Sequence, residues 1–120
     1  MIKLKSLIVE ETAKPLTVYH GTDKAFRRFS LKSSVQGIIW FTSDKNKILN
    51  KGAGAAGEGY VITAEVTINK AAGWKEYEEL FLAQLRSLGY DGAILPMGDG
   101  NFDCFIFSPN QAKIIKVEKV

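Results

Sequence analysis

Lys51-Gly52-Ala53-Gly54-Ala55-Ala56-Gly57-Glu58-Gly59-Tyr60-Val61-Ile62-Thr63-Ala64-Glu65-Val66-Thr67-Ile68 admits two readings, and the fold class turns on the choice between them. Gly52, Gly54 and Gly57 spell G-x-G-x-x-G, the pattern that cradles the pyrophosphate of a dinucleotide. The pattern carries that meaning only between a strand and the helix it opens, because the helix N-terminus helps to hold the phosphates. Here the order is reversed. A polar segment compatible with a helix precedes the glycines, and a strand follows them. From Tyr60 to Ile68 the residues alternate: Tyr60, Ile62, Ala64, Val66 and Ile68 face one way, and Val61, Thr63, Glu65 and Thr67 the other. That predicts a half-exposed strand. The glycines read as a flexible loop, of the kind that serves as a flap beside a site, and no βαβ unit surrounds them.

The flanking segments agree. Upstream, Leu16 to Tyr19 predicts a first strand, and Gly37 to Thr42 a second. The second is almost continuously apolar, which places it centrally or covers both its faces. Thr42 or Ser43 caps a short helix over Asp44 to Asn50. Between these strands, Asp23 to Ser34 reads as a loop stapled down by Phe26 and Phe29. Downstream, Lys75 to Leu88 predicts one helix with Tyr77, Phe81, Leu85 and Leu88 as its apolar stripe, widened by Leu80 and Leu82. Gly89 is its expected C-terminal stop. Ala93 to Leu95, Phe102 to Phe107 and Ala112 to Val117 predict three more strands. Residues 1–14 read either as a short amphipathic helix or as a loose arm, ended by Pro15. Runs of strands with few helices make the expected class α+β, as one domain over residues 1–120.

Composition narrows the function classes. The chain has 120 residues, 46% of them apolar, which suits one domain with one core. No apolar run approaches the roughly 18 residues that span a bilayer. The start, Met1-Ile2-Lys3-Leu4-Lys5, is basic but is followed by no long apolar stretch, so a cytosolic protein is expected. One cysteine and one histidine argue against a structural zinc site, and no metal is expected. The net charge of +3 is dilute, with Arg27-Arg28 the densest basic pair, and does not by itself mark a nucleic-acid surface.

Three places carry candidate chemistry. Tyr19-His20-Gly21-Thr22 holds the single histidine where a strand gives way to a loop. A lone histidine there ordinarily has a structural role, but the adjoining glycine lets a ligand approach the backbone. Trp40-Phe41-Thr42 closes the second strand. Asp103 is an acid inside an apolar strand. Alternation puts it on one face with Phe105 and Phe107, opposite Phe102, Cys104 and Ile106. Taken alone it is equally a residue of an edge strand pointing at solvent.

Together these three places resemble the catalytic domain of the ADP-ribosyltransferases of the diphtheria-toxin and poly(ADP-ribose) polymerase type, which carries a His-Tyr-Glu triad on separate strands. Tyr19-His20-Gly21-Thr22 is similar to the first family motif, and Gly37 through Thr42 to the second. Asp103-Cys104-Phe105-Ile106-Phe107, with Gln111 after it, is similar to the third. Gly89-Tyr90-Asp91-Gly92 also resembles small phage-encoded and polyvalent-protein members. The resemblance runs from about Val18 to Ile114 and implies a split β-sheet core. It implies NAD+ as substrate, with Tyr19, His20, Gly21, Thr22, Trp40, Phe41 and Thr42 around it. His20 would contact the adenine-side ribose, the Gly21 backbone the nicotinamide amide, and Trp40 the nicotinamide ring. Asp103 would face the positive charge that develops on the sugar. Two departures stand out: Asp103 is one methylene shorter than the family glutamate, and residues 48–51 lack the aromatic that members often place after the second motif. The implied activity is transfer of single ADP-ribose units to a protein, nucleic-acid or small-molecule acceptor, in a bacterial or phage-infected cytoplasm. Related implied activities are hydrolysis of NAD+ and binding of NAD+, ADP-ribose or a partner without turnover.

Overall fold

The computed structural model describes residues 14–22, 28–31, 37–49 and 59–119. The expectations for the N-terminal arm, for Phe26 and for Gly52, Gly54 and Gly57 concern residues outside these ranges. Among the described residues the elements run β1 (Leu16–Thr22), β2 (Ile39–Thr42), α1 (Lys45–Leu49), β3 (Tyr60–Val66), β4 (Ala71–Ala72), α2 (Trp74–Glu79), α3 (Leu82–Ser87), β5 (Gly92–Pro96), β6 (Phe102–Ile106), a 3-10 turn (Pro109–Gln111) and β7 (Ala112–Lys119). The strands form one mixed sheet in the order β4-β5-β6-β2-β1-β3-β7. Every neighbouring pair is antiparallel except β4 with β5. The class is α+β. No described helix is long and apolar enough to cross a membrane.

Each face of the sheet carries its own apolar cluster. Val18, Ile39, Phe41, Ile62, Ala64, Val66, Cys104 and Ile106 line one face, joined by Phe29 from the segment between β1 and β2. Ile38, Ala93, Leu95 and Phe105 line the other and pack with Ala72 and with Leu85 of α3. The period of two explains this: alternate residues of one strand feed opposite clusters. β6 is the clearest case, with Cys104 and Ile106 in the first cluster and Phe105 in the second.

Several sequence expectations are revised. The single helix expected over Lys75 to Leu88 is two helices, broken where Leu80 and Phe81 take extended backbone. Neither proline nor glycine causes the break. On one straight helix, Leu80 and Leu82 would point about 200° apart. Breaking the helix lets both pack against the second cluster beside fully buried Leu85. The amide of Phe81 donates to Gln84 Oε1 at 2.8 Å, which starts the second helix. The expected stripe is therefore split: Tyr77 and Leu85 pack inward, while Phe81 is 81% and Leu88 54% exposed. β4 is additional to the expected strands, since two alanines carry no periodic signal. β1 runs on through Gly21 and Thr22, paired with β3 along its whole length from Leu16 opposite Val66 to Thr22 opposite Tyr60. β6 is an interior strand, between β5 and β2, so Asp103 is not on a sheet edge.

The Gly89-Tyr90-Asp91-Gly92 segment ties the connection before β4 to the start of β5. The Asp91 carboxylate accepts the amides of Asn69 at 2.9 Å and Lys70 at 2.8 Å. The Gln111 side-chain amide donates to the carbonyls of Thr67 and Asp91. Gly92 is held to a bare Cα because a side-chain carbon there would sit 2.5 Å from the Phe105 carbonyl oxygen.

Candidate functional site

The three motifs meet in the middle of the sheet, on β6, β2 and β1 in adjacent positions. Their contact is local and unusual. β1 and β2 share a ladder of one residue pair, Tyr19 opposite Thr42. Continued antiparallel pairing would set Gly21 opposite Trp40. Instead, Nδ1 of His20 lies 2.8 Å from the Trp40 carbonyl oxygen. A carbonyl oxygen only accepts, so Nδ1 carries the proton. In the neutral ring the lone pair is then on Nε2. The histidine thus bridges the two strands where their backbone ladder stops.

The surroundings favour that neutral ring. Its plane is perpendicular to Phe29 at 5.4 Å between centroids and tilted on Phe41 at 5.7 Å. Burial among these rings pushes the imidazole below its ordinary value of 6.5, and the bond to the Trp40 carbonyl opposes part of that shift.

Trp40 and Asp103 belong to the other face. The Trp40 indole meets Phe105 edge-on at 4.9 Å and Tyr77 of α2 at 6.0 Å. Tyr19 is level with Thr42, and Thr42 with Asp103, so these three form a row across β1, β2 and β6 on the Trp40 face. Of the expected catalytic side chains, the sheet therefore groups Trp40 with Asp103 and turns the His20 ring to the opposite face. His20 and Trp40 still touch, through imidazole and carbonyl. Gly21 is buried and Thr22 half-buried beside them. Phe41 is a core residue behind His20. Thr42 is the buried polar residue of the row, and its Oγ1 accepts the Asp44 amide at 3.1 Å, opening α1. Ser43 ties this corner to β6: its Oγ accepts the Phe102 amide at 2.8 Å.

α1 brings in two lysines that no sequence motif marks. Lys47 Nζ lies 3.3 Å from both carboxylate oxygens of Asp103. Lys45 Nζ lies 2.7 Å from Glu118 of β7 and 6.0 Å from the centre of the Tyr19 ring. The Lys45 contact holds the Glu118 carboxyl below its usual range. No spacing rule joins residue 47 to residue 103; only the pairing of β2 with β6 does. Behind Asp103, the Cys104 thiol is buried in the first cluster, and burial, with the Asp103 charge adding to it, leaves its pKa pushed up to about 12. Such a thiol is chemically inert. Among the described residues, no three His, Cys, Asp or Glu side chains come together as a metal site would require.

The arrangement offers a carboxylate with a lysine counter-charge, a row of aromatic and hydroxyl groups beside it, and a neutral imidazole bridging the strand split. No protein-family model, curated protein or solved structure matches the chain.

Proposed function

We propose that the chain is an NAD+-dependent ADP-ribosyltransferase domain that passes single ADP-ribose units to an acceptor. The observation that carries this reading is the adjacency of β1, β2 and β6, which gathers three motifs far apart in the chain around one strand split. Departure of nicotinamide breaks the bond between its ring nitrogen and C1′ of the ribose, and the electron pair leaves with the base. C1′ becomes cationic. A lone pair of the acceptor then bonds to C1′, and the acceptor's proton passes to solvent. Asp103 is the fixed negative charge facing that cation, a form of electrostatic stabilisation commonly large in such reactions. Carboxylates meet the same demand in glycoside cleavage. Gly21 suits close approach of a carboxamide to the backbone, and His20, whose ring lies on the opposite sheet face from Asp103, supports the site through its contact with the Trp40 carbonyl. Trp40 offers an indole face beside Asp103.

A second reading, binding of NAD+ or ADP-ribose without turnover, is favoured by the Lys47 contact on Asp103 and by the packing of Trp40 on Phe105 and Tyr77. Labelled NAD+ separates the two. Transfer yields free nicotinamide and label on an acceptor, and Asp103→Asn lowers nicotinamide release about a hundredfold with binding retained. Free nicotinamide without bound label identifies water as the acceptor, and binding without release identifies the second reading. Unchanged release in Asp103→Ala removes Asp103 from the chemistry.

A further inference from the structure

The Lys47–Asp103 pair is built differently from its neighbour on the same helix. Lys45 meets Glu118 at 2.7 Å, the length of a tight charge-assisted hydrogen bond. Lys47 sits 3.3 Å from each oxygen of Asp103, centred on the carboxylate and bound tightly to neither. Its side chain is 34% exposed and that of Asp103 25%, so the pair is only partly screened from water and weakly held. Lys47 also acts electrostatically on Asp99, in the tip of the β5–β6 hairpin. The ammonium is a compact charge on a flexible four-carbon stem, free to exchange one oxygen partner for another. While it stays on Asp103 it cancels the charge that a cationic sugar would need.

We infer that Lys47 is the specificity-determining cation of this site: its ammonium, seated on Asp103 here, passes to a phosphate of an incoming dinucleotide and uncovers the carboxylate for the sugar. This rests on the NAD+ reading above and names what selects the substrate. A ligand bearing phosphates supplies a replacement partner for Lys47. A neutral nucleoside or free nicotinamide does not, and leaves Asp103 covered. Coupling of this kind makes the carboxylate available only when the anionic part of the substrate is in place. Lys45 does not share the role, because Glu118 holds it at hydrogen-bond distance.

The test uses the full chain with Lys47→Met and Lys47→Arg, titrated by calorimetry with ADP-ribose and with nicotinamide. Lys47→Met is expected to weaken ADP-ribose binding about tenfold, the scale of one partly exposed charge-assisted hydrogen bond. Nicotinamide binding stays the same, and Lys47→Arg restores most of the loss. The wild-type affinity for ADP-ribose falls with added salt, and that dependence flattens in Lys47→Met. Equal or tighter ADP-ribose binding by Lys47→Met, with the wild type binding normally, overturns the role of Lys47 and leaves the NAD+ reading standing. A parallel loss of nicotinamide affinity and melting temperature assigns Lys47 to structure and overturns it too. A wild type that binds neither NAD+ nor ADP-ribose overturns both readings together.

Discussion

Replacing His20 by phenylalanine tests the bridge between β1 and β2, and its expected signature is a dependence on pH. The substitution keeps a ring beside Phe29 and Phe41 but removes the Nδ1–H that meets the Trp40 carbonyl at 2.8 Å. Leaving a buried acceptor unmet costs about 1–3 kcal/mol. The His20 side chain is only half-buried, so the lower part of that range applies, about 1–2 kcal/mol. With an unfolding entropy of about 2.1 cal/mol/K per residue, this lowers the melting temperature by about 4–8 °C at pH 7.5.

Acid changes the comparison. Burial lowers the imidazole pKa in the folded chain below its ordinary value of 6.5. The unfolded chain therefore binds the proton first. Below pH 6.5 the wild type loses stability as the pH falls toward the folded value, at no more than about 1.4 kcal/mol per pH unit. His20→Phe has nothing to titrate in this range, and the chain contains one histidine. The carboxyls of Glu76, Asp99 and Glu118 lie below their usual range, so their contribution is present above about pH 4.5 and is lost only at lower pH. Thermal melts followed by circular dichroism at pH 7.5 and pH 5.5, at constant ionic strength, should show the gap between wild type and His20→Phe closing in acid. A gap that stays constant or widens refutes the neutral, bridging imidazole.

Two further outcomes test the packing around the site. Gly92→Ala puts a methyl 2.5 Å from the Phe105 carbonyl oxygen and 3.1 Å from Ile68 Cδ1, and the backbone contact has no flexible end to yield. Urea unfolding should show a loss of about 1–3 kcal/mol; a neutral result would mean that β5 and β6 are not in such close contact. Cys104, buried and with its thiol pKa pushed up to about 12, should react with a thiol reagent at pH 8 only as fast as the chain opens. Rapid labelling of the native protein would place the thiol outside the core.

The pattern of strands was legible because a period of two is a local property of the chain. Phe102 to Ile106 follows the alternation, down to the separation of Asp103 and Phe105 from Cys104 and Ile106, and Tyr60 to Val66 follows it except at Val61, which is fully buried on the face expected to be open. The order of the segments around the glycine run, α1 before it and β3 after it, was local as well. The broken helix was not legible. Periodicity reads one straight axis, and the choice to bury Leu80 and Leu82 together depends on a sheet face supplied by distant residues. β4 escaped for the same reason, because two alanines become a strand only when β5 lies beside them.

For the site the division runs along the same line. The residue types, an imidazole next to glycine, an indole at a strand end and an acid among apolar neighbours, were written in the sequence. Their partners were not. His20 reaches the Trp40 carbonyl only because the β1–β2 ladder stops after one pair, and Lys47 reaches Asp103 only because β6 lies against β2. Backbone pairing between remote segments is what brings those atoms within a few ångströms, and no local spacing rule encodes it.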